Sequence, residues 1–209
     1  RDLASRRLAI EGIDPWIDGG RFAAKAVAGW PMRIEADVFG DGHEVIGAAI
    51  ETPYAGFVPM VKDGNDRWSG EVTFPENGPA RFTIFAWRDV WGTWMHDTSR
   101  KLEAGQDVSV EMQEAVQIFE GMKAPRGQSS THKALLKAAK SGDAQTLLSD
   151  ETASFMAVHG PRANLTRSDA VPVWVDRERA AFSAWYELFP RSQGPEGQHG
   201  TFRDVMDRL

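Results

Sequence analysis

The strongest constraint on the fold is a strict alternation of apolar and charged residues over residues 32–38. The run reads Met32, Arg33, Ile34, Glu35, Ala36, Asp37, Val38. Successive side chains of a β-strand point to opposite faces, so the apolar residues would face a core and the charges would face water. The pattern therefore predicts a half-buried strand, the clearest in the sequence.

Similar short runs continue to about residue 98 and are separated by turn-forming residues. Asp41-Gly42 has the chemistry of a tight hairpin, with a return strand predicted over residues 44–52. Asp63-Gly64-Asn65 and Asn77-Gly78-Pro79 mark two further turns. With a last strand from Trp91 to Asp97, the pattern predicts about seven short strands, which favours a β-sandwich of the immunoglobulin or fibronectin III type.

The periodicity changes to that of helices after Gly105. Apolar residues from Val108 to Phe119 recur at spacings of three and four, which predicts an amphipathic helix with Asp107 as a candidate N-cap. A second helix is predicted from Thr131, and a short third one follows Ser141-Gly142-Asp143. These helices form a small bundle that buries little apolar area, so we expect it to dock on its own sheets or on another subunit.

The last part of the chain has the pattern of an incomplete repeat. Residues 182–190 are read as a buried strand that ends at Pro190, and Thr201 can cap a final helix. A strand, a loop and a helix are the opening of a β/α repeat, which cannot close a sheet alone. We therefore expect a truncated chain in which this segment exposes apolar surface and self-associates.

Composition excludes several classes of function. The formal charge is −6, which disfavours nucleic acid as a partner. The sequence has no cysteine, so disulfides, thiolate metal sites and thiol nucleophiles are excluded. No run approaches the ~20 apolar residues of a membrane span. We expect no membrane association, no cofactor and a cytoplasmic location.

Several runs carry a resemblance to a known family. They are Gly19-Gly20-Arg21-Phe22 with Lys25, Glu35-Ala36-Asp37-Val38-Phe39 with Asp41-Gly42-His43, Gly64-Asn65-Asp66-Arg67-Trp68, Thr93-Trp94 with His96-Asp97, Ala104-Gly105-Gln106-Asp107-Val108, Trp174-Val175-Asp176-Arg177, Phe182-Ser183-Ala184-Trp185-Tyr186-Glu187-Leu188-Phe189-Pro190-Arg191-Ser192, and His199-Gly200-Thr201-Phe202-Arg203-Asp204-Val205. On these runs the chain resembles the N-terminal region of the GlgE-type maltosyltransferases of the α-amylase superfamily. The helical segment, residues 107–171, matches the family least.

The resemblance implies three parts: a fibronectin-like β-sandwich over residues 1–106, a helical insert over 107–171 that helps to form a homodimer, and a linker with the start of a (β/α)8 barrel over 172–209. The fold class is thus mainly β with an α insert. The activity implied for the parent enzyme is retaining transfer of maltosyl units from α-maltose 1-phosphate to α-1,4-glucan. Retention needs two facing carboxyl groups, which in a barrel lie at the ends of several strands. Because the resemblance reaches only the first strand, we assign no catalytic residue.

Three tryptophans are the candidate functional residues, namely Trp87, Trp91 and Trp94. Indole faces stack on sugars, but a core or domain-interface role is the commoner use of such side chains. Two interpretations follow: a structural and dimerising module, or a carbohydrate-binding module that tethers an enzyme to glucan.

Other candidates carry weaker signals. His96-Asp97 is read as a strand-end hydrogen bond rather than an acid–base pair. The five histidines lack metal-ligand spacing, so no metal site is expected. Glu187 and Asp204 are interpreted as structural carboxylates.

Overall fold

A computed structural model of the chain describes residues 7–182 and 185–209. These residues fall into two compact units, one that extends to Asp176 and one from Arg177 to Leu209.

The first unit contains ten strands and five α-helices among its described residues. In chain order they are β1 (Leu8–Asp14), β2 (Ala24–Val27), β3 (Pro31–Gly40), β4 (Ile46–Glu51), β5 (Phe57–Pro59), β6 (Val61–Lys62), β7 (Arg67–Thr73), β8 (Gly78–Asp89), α1 (Val90–Glu103), α2 (Ser109–Gly121), α3 (Ser129–Ser141), α4 (Ala144–Leu147), α5 (Asp150–His159), β9 (Arg162–Arg167) and β10 (Val171–Asp176). The fold is therefore mixed α/β. This agrees in part with the predicted β fold that carries an α insert, and the helical content is higher than predicted because α1 and α5 were not anticipated.

The strands form two sheets. The first has the order β1-β3-β7-β6, and the second has the order β2-β10-β8-β4-β5 with β9 also paired to β8. The alternation over residues 32–38 is confirmed, since Ile34, Ala36 and Val38 are almost fully buried in β3. Side chains from both sheets meet in one apolar core that includes Phe74, Phe82, Ile34, Ile50 and Ile84.

The Asp41-Gly42 turn does not make the predicted hairpin. It joins β3 to β4, which lie in different sheets. Both edges of β3 are already occupied by β1 and β7, so β4 pairs with β8 instead. The turn at Asp63-Gly64-Asn65 is confirmed as a hairpin between β6 and β7, closed by a hydrogen bond from the Asp63 amide to the Arg67 carbonyl.

The long strand β8 organises the second sheet. One edge of β8 pairs with β4, while the other edge pairs first with β10 and then with β9. Asp89, where the chain leaves β8 for the helices, is paired with Arg162, where it returns in β9. The helices are thus an insertion between two paired residues of one sheet.

The interpretation of residues 172–176 as linker is wrong. They belong to β10, which pairs in parallel with β2 and antiparallel with β8. Val171, Val173 and Val175 are each 1% exposed and join the core of the sheets. The alternation Val-Pro-Val-Trp-Val carries the period-two signal that predicts such a strand.

The helices form a second apolar core. It contains Trp91, Trp94, Phe119, Leu135 and Leu147, all buried. The predicted helices are confirmed as α2, α3 and α4. Val108 occupies the N-cap position of α2, while the Asp107 carboxylate accepts a hydrogen bond from the Ser109 amide at 3.1 Å.

Among its described residues, the second unit contains one α-helix, α6 (Phe202–Arg208). Thr201 and Asp204 form a capping box at its start, which confirms the predicted cap. The prediction of a buried strand over residues 182–190 is wrong at the described positions. Trp185 is 95% exposed, and none of the described residues of this segment pairs with a strand, so their backbone lacks the ladder that a strand requires. Ser183 and Ala184 lie outside the described residues.

Candidate functional site

The three candidate tryptophans lie at the point where the second sheet passes into the helices. Trp87 is in β8, and Trp91 and Trp94 are in α1. The predicted strand from Trp91 to Asp97 is therefore wrong. The Asp89 carboxylate accepts a hydrogen bond from the Gly92 amide at 2.9 Å and so caps a helix at this point.

Because the cap at Asp89 begins a helix, the helical geometry determines the directions of the two tryptophan side chains. In a strand, residues 91 and 94 would lie on opposite faces, whereas in a helix they share one. Thr93 strengthens the start of α1, because its hydroxyl donates to the Asp89 carbonyl and accepts from the Val45 amide. The sequence signal that could have shown this is Asp89 followed by apolar residues at helical spacing, 91, 94 and 95.

Trp91 and Trp94 are core residues. They are 2% and 4% exposed, their rings stack at 4.4 Å between centroids with 21° between planes, and Phe119 meets Trp91 edge-on at 5.2 Å. The Trp94 indole N–H donates to the Glu111 backbone carbonyl at 2.7 Å. Both rings are covered almost completely by their neighbours in the helical core, which leaves little of either face open for stacking on a sugar.

Trp87 is half-buried and belongs to an aromatic cluster on the second sheet. The Arg162 guanidinium lies 4.6 Å from the Trp87 ring centroid and 4.4 Å from that of Phe57. Gly47, its partner across the strands, leaves room for the indole, since a Cβ there would stand 2.5 Å from a Trp87 ring carbon. Because the cation already lies over the indole, the geometry indicates a packing role for Trp87.

A cleft of about 480 Å³ borders this cluster. Its walls include Trp87, Phe57, Arg162, Met156 and Val158. The lining joins the sheet to the end of α5 and to β9, and it is largely apolar. Among the described residues, no pair of facing carboxyl groups lines it.

A larger cleft of about 780 Å³ lies along α1 and α2. Three basic side chains (Arg88, Arg100, Lys101) and three acidic ones (Asp97, Glu111, Glu114) line it beside apolar groups. The formal charges of these six side chains sum to zero.

An ion pair between Lys101 and Glu111 ties α1 to α2 within this cleft. Glu111 is only 6% exposed. The hydrogen bond from Lys101 lowers the pKa of Glu111, and the same bond raises the pKa of Lys101, so both groups stay charged near neutral pH. This arrangement is a structural ion pair rather than a proton donor held ready for catalysis.

The remaining titratable candidates also have structural positions. His96 and Asp97 lie on the exposed face of α1, so the expected strand-end hydrogen bond is wrong. His132 is buried, with its Nε2 2.9 Å from the Phe119 carbonyl oxygen. Within residues 7–182 and 185–209, no three His, Asp or Glu side chains are grouped to hold a metal ion.

The two carboxylates of the second unit differ in surroundings. Asp204 accepts hydrogen bonds from the backbone amide and the hydroxyl of Thr201, and these bonds lower its pKa. Its role is to cap α6. Glu187 is exposed and borders a hollow formed with Trp185, Leu188 and Val205. Over the described part of the chain, no helix has the length and hydropathy to cross a bilayer.

Comparison with known proteins identifies the family. The profile described as "Alpha-1,4-glucan:maltose-1-phosphate maltosyltransferase, domain N/S" matches residues 6–177. Proteins named α-1,4-glucan:maltose-1-phosphate maltosyltransferase are similar over nearly the whole chain. One from Cereibacter sphaeroides is 41% identical over 99% of the chain, and one from Myxococcus xanthus is 39% identical over 94%. One from Burkholderia pseudomallei is 36% identical over 99%.

The match covers only part of each relative. The chain spans 37% of the Cereibacter protein, 33% of the Myxococcus protein and 20% of the Burkholderia protein. The residues of both apolar cores, one between the sheets and one among the helices, lie within the stretch that the family profile matches. The chain belongs to the N/S-domain family of the α-1,4-glucan:maltose-1-phosphate maltosyltransferases.

Proposed function

We propose that the chain is the non-catalytic, N-terminal structural and dimerisation region of a maltosyltransferase that extends α-1,4-glucans from α-maltose 1-phosphate. The observation that carries this proposal is the match of an N/S-domain profile across residues 6–177. A region that supports an enzyme needs rigid, well-packed elements more than it needs a polar pocket. The chain has two well-packed parts of this kind, the sheets around one buried core and the helices around the other.

The finer architecture belongs to the same proposal. The two sheets would form a fibronectin-like sandwich, the helices would form an insert in it, and residues 177–209 would begin the catalytic (β/α)8 barrel. The exposed apolar side chains of the second unit support the last point, because Trp185, Phe189 and Phe202 are each more than 70% exposed. First strands of such barrels are buried on both faces in the complete fold. We also place the protein in the cytoplasm, which cell fractionation tests.

The catalytic part of the proposal is tested with purified chain, α-maltose 1-phosphate and glycogen. We expect no phosphate release above a control without protein, since the proposed role provides no facing carboxyl pair. Release that scales with the amount of chain would overturn the non-catalytic role.

The structural role is tested separately by native electrophoresis in gels with and without soluble starch. Because Trp91 and Trp94 are buried and Trp87 lies under Arg162, we expect the same mobility in both gels. Retardation by starch that is lost in Trp87→Ala would instead support a carbohydrate-binding module.

A further inference from the structure

The guanidinium of Arg162 has no anionic partner. Arg162 is the first residue of β9 and lies over the rings of Phe57 and Trp87. Among the described residues, no carboxylate oxygen lies within 4.0 Å of this guanidinium, and no oxygen accepts a hydrogen bond from it. A guanidinium stays charged in proteins and has five N–H donors. The described part of the chain therefore leaves the charge and the donors of Arg162 without an acceptor.

The nearest acidic residue along the sheet does not neutralise this charge. Asp89 of β8 is directly opposite Arg162 in the pairing of the two strands. Side chains of opposite charge at such positions commonly interact. Here the Asp89 Oδ1 accepts the hydrogen bond from the Gly92 amide that caps α1, and the carboxylate does not come within 4.0 Å of the guanidinium. Asp89 is thus used by the helix and Arg162 by the aromatic rings.

The rings hold the guanidinium in one place. Phe57 meets Phe85 edge-on at 5.0 Å between centroids and Trp87 edge-on at 6.2 Å. The Arg162 Cζ is 4.4 Å from the Phe57 centroid and 4.6 Å from the Trp87 centroid, which are distances of favourable cation–π contacts. Because the side chain is already ordered by these rings, a ligand that binds it has less conformational entropy to overcome.

Arg162 stands at the wall of the largely apolar cleft of about 480 Å³. Buried side chains, Met60, Trp68 and Met156, form part of its wall, and the exposed Val158 borders it towards the solvent. Asp89 and Arg162 are the charged residues among the described residues of the lining. The volume is within the range of about 300 to 1,000 Å³ that is usual for small-molecule sites.

We propose that this cleft is a binding site for a small amphipathic carboxylate, with the carboxylate on the Arg162 guanidinium and the apolar body against Met60 and Met156. A planar carboxylate matches the planar guanidinium through two parallel N–H···O bonds. A neutral apolar compound would leave these donors unpaired. This inference goes beyond the proposed structural role and does not depend on it.

The surroundings favour a carboxylate over inorganic phosphate. A doubly charged phosphate would lose more hydration on entering an apolar cleft, and it has no apolar body to bury there. The chain carries a formal charge of −6, so its overall field does not attract anions. Preference for an anion at this cleft must therefore come from the local contact with Arg162.

The test measures binding of 3-phenylpropionate to the whole chain by nuclear magnetic resonance of the methionine methyl groups. Met60 and Met156 line the cleft, and their signals are assigned from Met60→Leu and Met156→Leu. We expect saturable shifts of both signals, with a dissociation constant between about 0.1 and 1 mM for a probe of this size. The alcohol 3-phenylpropan-1-ol has the same apolar body without the charge, and we expect it to bind about tenfold more weakly.

Variants of Arg162 separate a contact with the ligand from a structural effect. Arg162→Ala should bind the acid and the alcohol about equally, because it removes the group that distinguishes them. Arg162→Lys keeps the charge without the planar donors, so its preference for the acid should be intermediate. Arg167→Ala removes an exposed arginine of the same strand outside the cleft lining and should keep the parent preference. Circular dichroism confirms that each variant is folded.

Three results would overturn the proposal. The first is the absence of a saturable shift of the Met60 and Met156 signals up to about 20 mM of the acid. The second is equal affinity of the parent for the acid and the alcohol, or a preference for the acid that Arg162→Ala retains. The third is displacement of the acid by inorganic phosphate of similar affinity, since the guanidinium alone would then be the site. A loss of affinity in Arg162→Ala that is equal for both compounds would indicate a structural effect and would also contradict the contact.

Discussion

Replacement of Trp94 by alanine tests the conclusion that the tryptophans of α1 are core residues. Removal of a buried tryptophan ring costs ~4 kcal/mol of folding free energy in proteins, because the remaining cavity is only partly filled by relaxation. At Trp94 the change removes a stacked contact with Trp91 and leaves the Glu111 carbonyl without its 2.7 Å donor. We therefore expect a loss of about 4 kcal/mol for Trp94→Ala.

Two further variants divide this loss into its parts. Trp94→Phe keeps an aromatic ring but removes the N–H donor, and we expect a loss of about 2 kcal/mol. Trp174→Ala removes an indole that is 51% exposed on β10, and we expect a loss below about 1 kcal/mol. The pair Trp94→Ala and Trp174→Ala therefore compares the same chemical change at a buried and at an exposed position.

Urea unfolding followed by circular dichroism measures these differences. With a slope of about 2 kcal/mol per molar urea, the Trp94→Ala midpoint should fall by about 2 M. The slope of the unfolding free energy against urea concentration should stay the same if the variant exposes as much surface on unfolding as the parent does. A Trp94→Ala midpoint within about 0.3 M of the parent value would refute the buried position of this ring.

Two other perturbations address the sheets. Arg162→Ala should lower the free energy of unfolding by about 1 to 2 kcal/mol, because it removes the cation over Trp87 and Phe57. The free energy of unfolding of Arg162→Lys should lie between those of the parent and Arg162→Ala. An unchanged urea midpoint for Arg162→Ala would contradict that contact. Hydrogen bonds from Arg33 and then Arg67 lower the pKa of Glu35, so its stabilising effect is complete above the ordinary glutamate value of about 4.3 and is lost as pH falls below it. Glu35→Gln should therefore be less stable than the parent at pH 6 and approach it at pH 3, and a difference that does not change with pH would argue against this network.

The sheets were the most predictable part of the fold. The alternation of apolar and charged residues in β3 requires only that one face of the strand is buried and the other is exposed. In the structure, Ile34 and Val38 lie on the buried face. The hairpin at Asp41-Gly42 was not predictable from its turn residues, because the pairing depends on which edges are already occupied. In β10 the alternation is present, but a parallel pairing with β2, far away in sequence, leaves no local signal.

The candidate site was predicted less well, and one residue explains why. Asp89 decides whether Trp91 and Trp94 are strand or helix residues, and its capping bond places both rings in a core. Strand and helix patterns are hard to separate over a run as short as residues 91–97 when aromatic residues are frequent.

Sedimentation equilibrium of the purified chain tests the central claim most directly. If the chain is a structural and dimerisation region, its mass in low salt should approach twice the 23.1 kDa of one copy as concentration rises into the micromolar range. A mass that stays at 23.1 kDa up to several hundred micromolar would contradict the account.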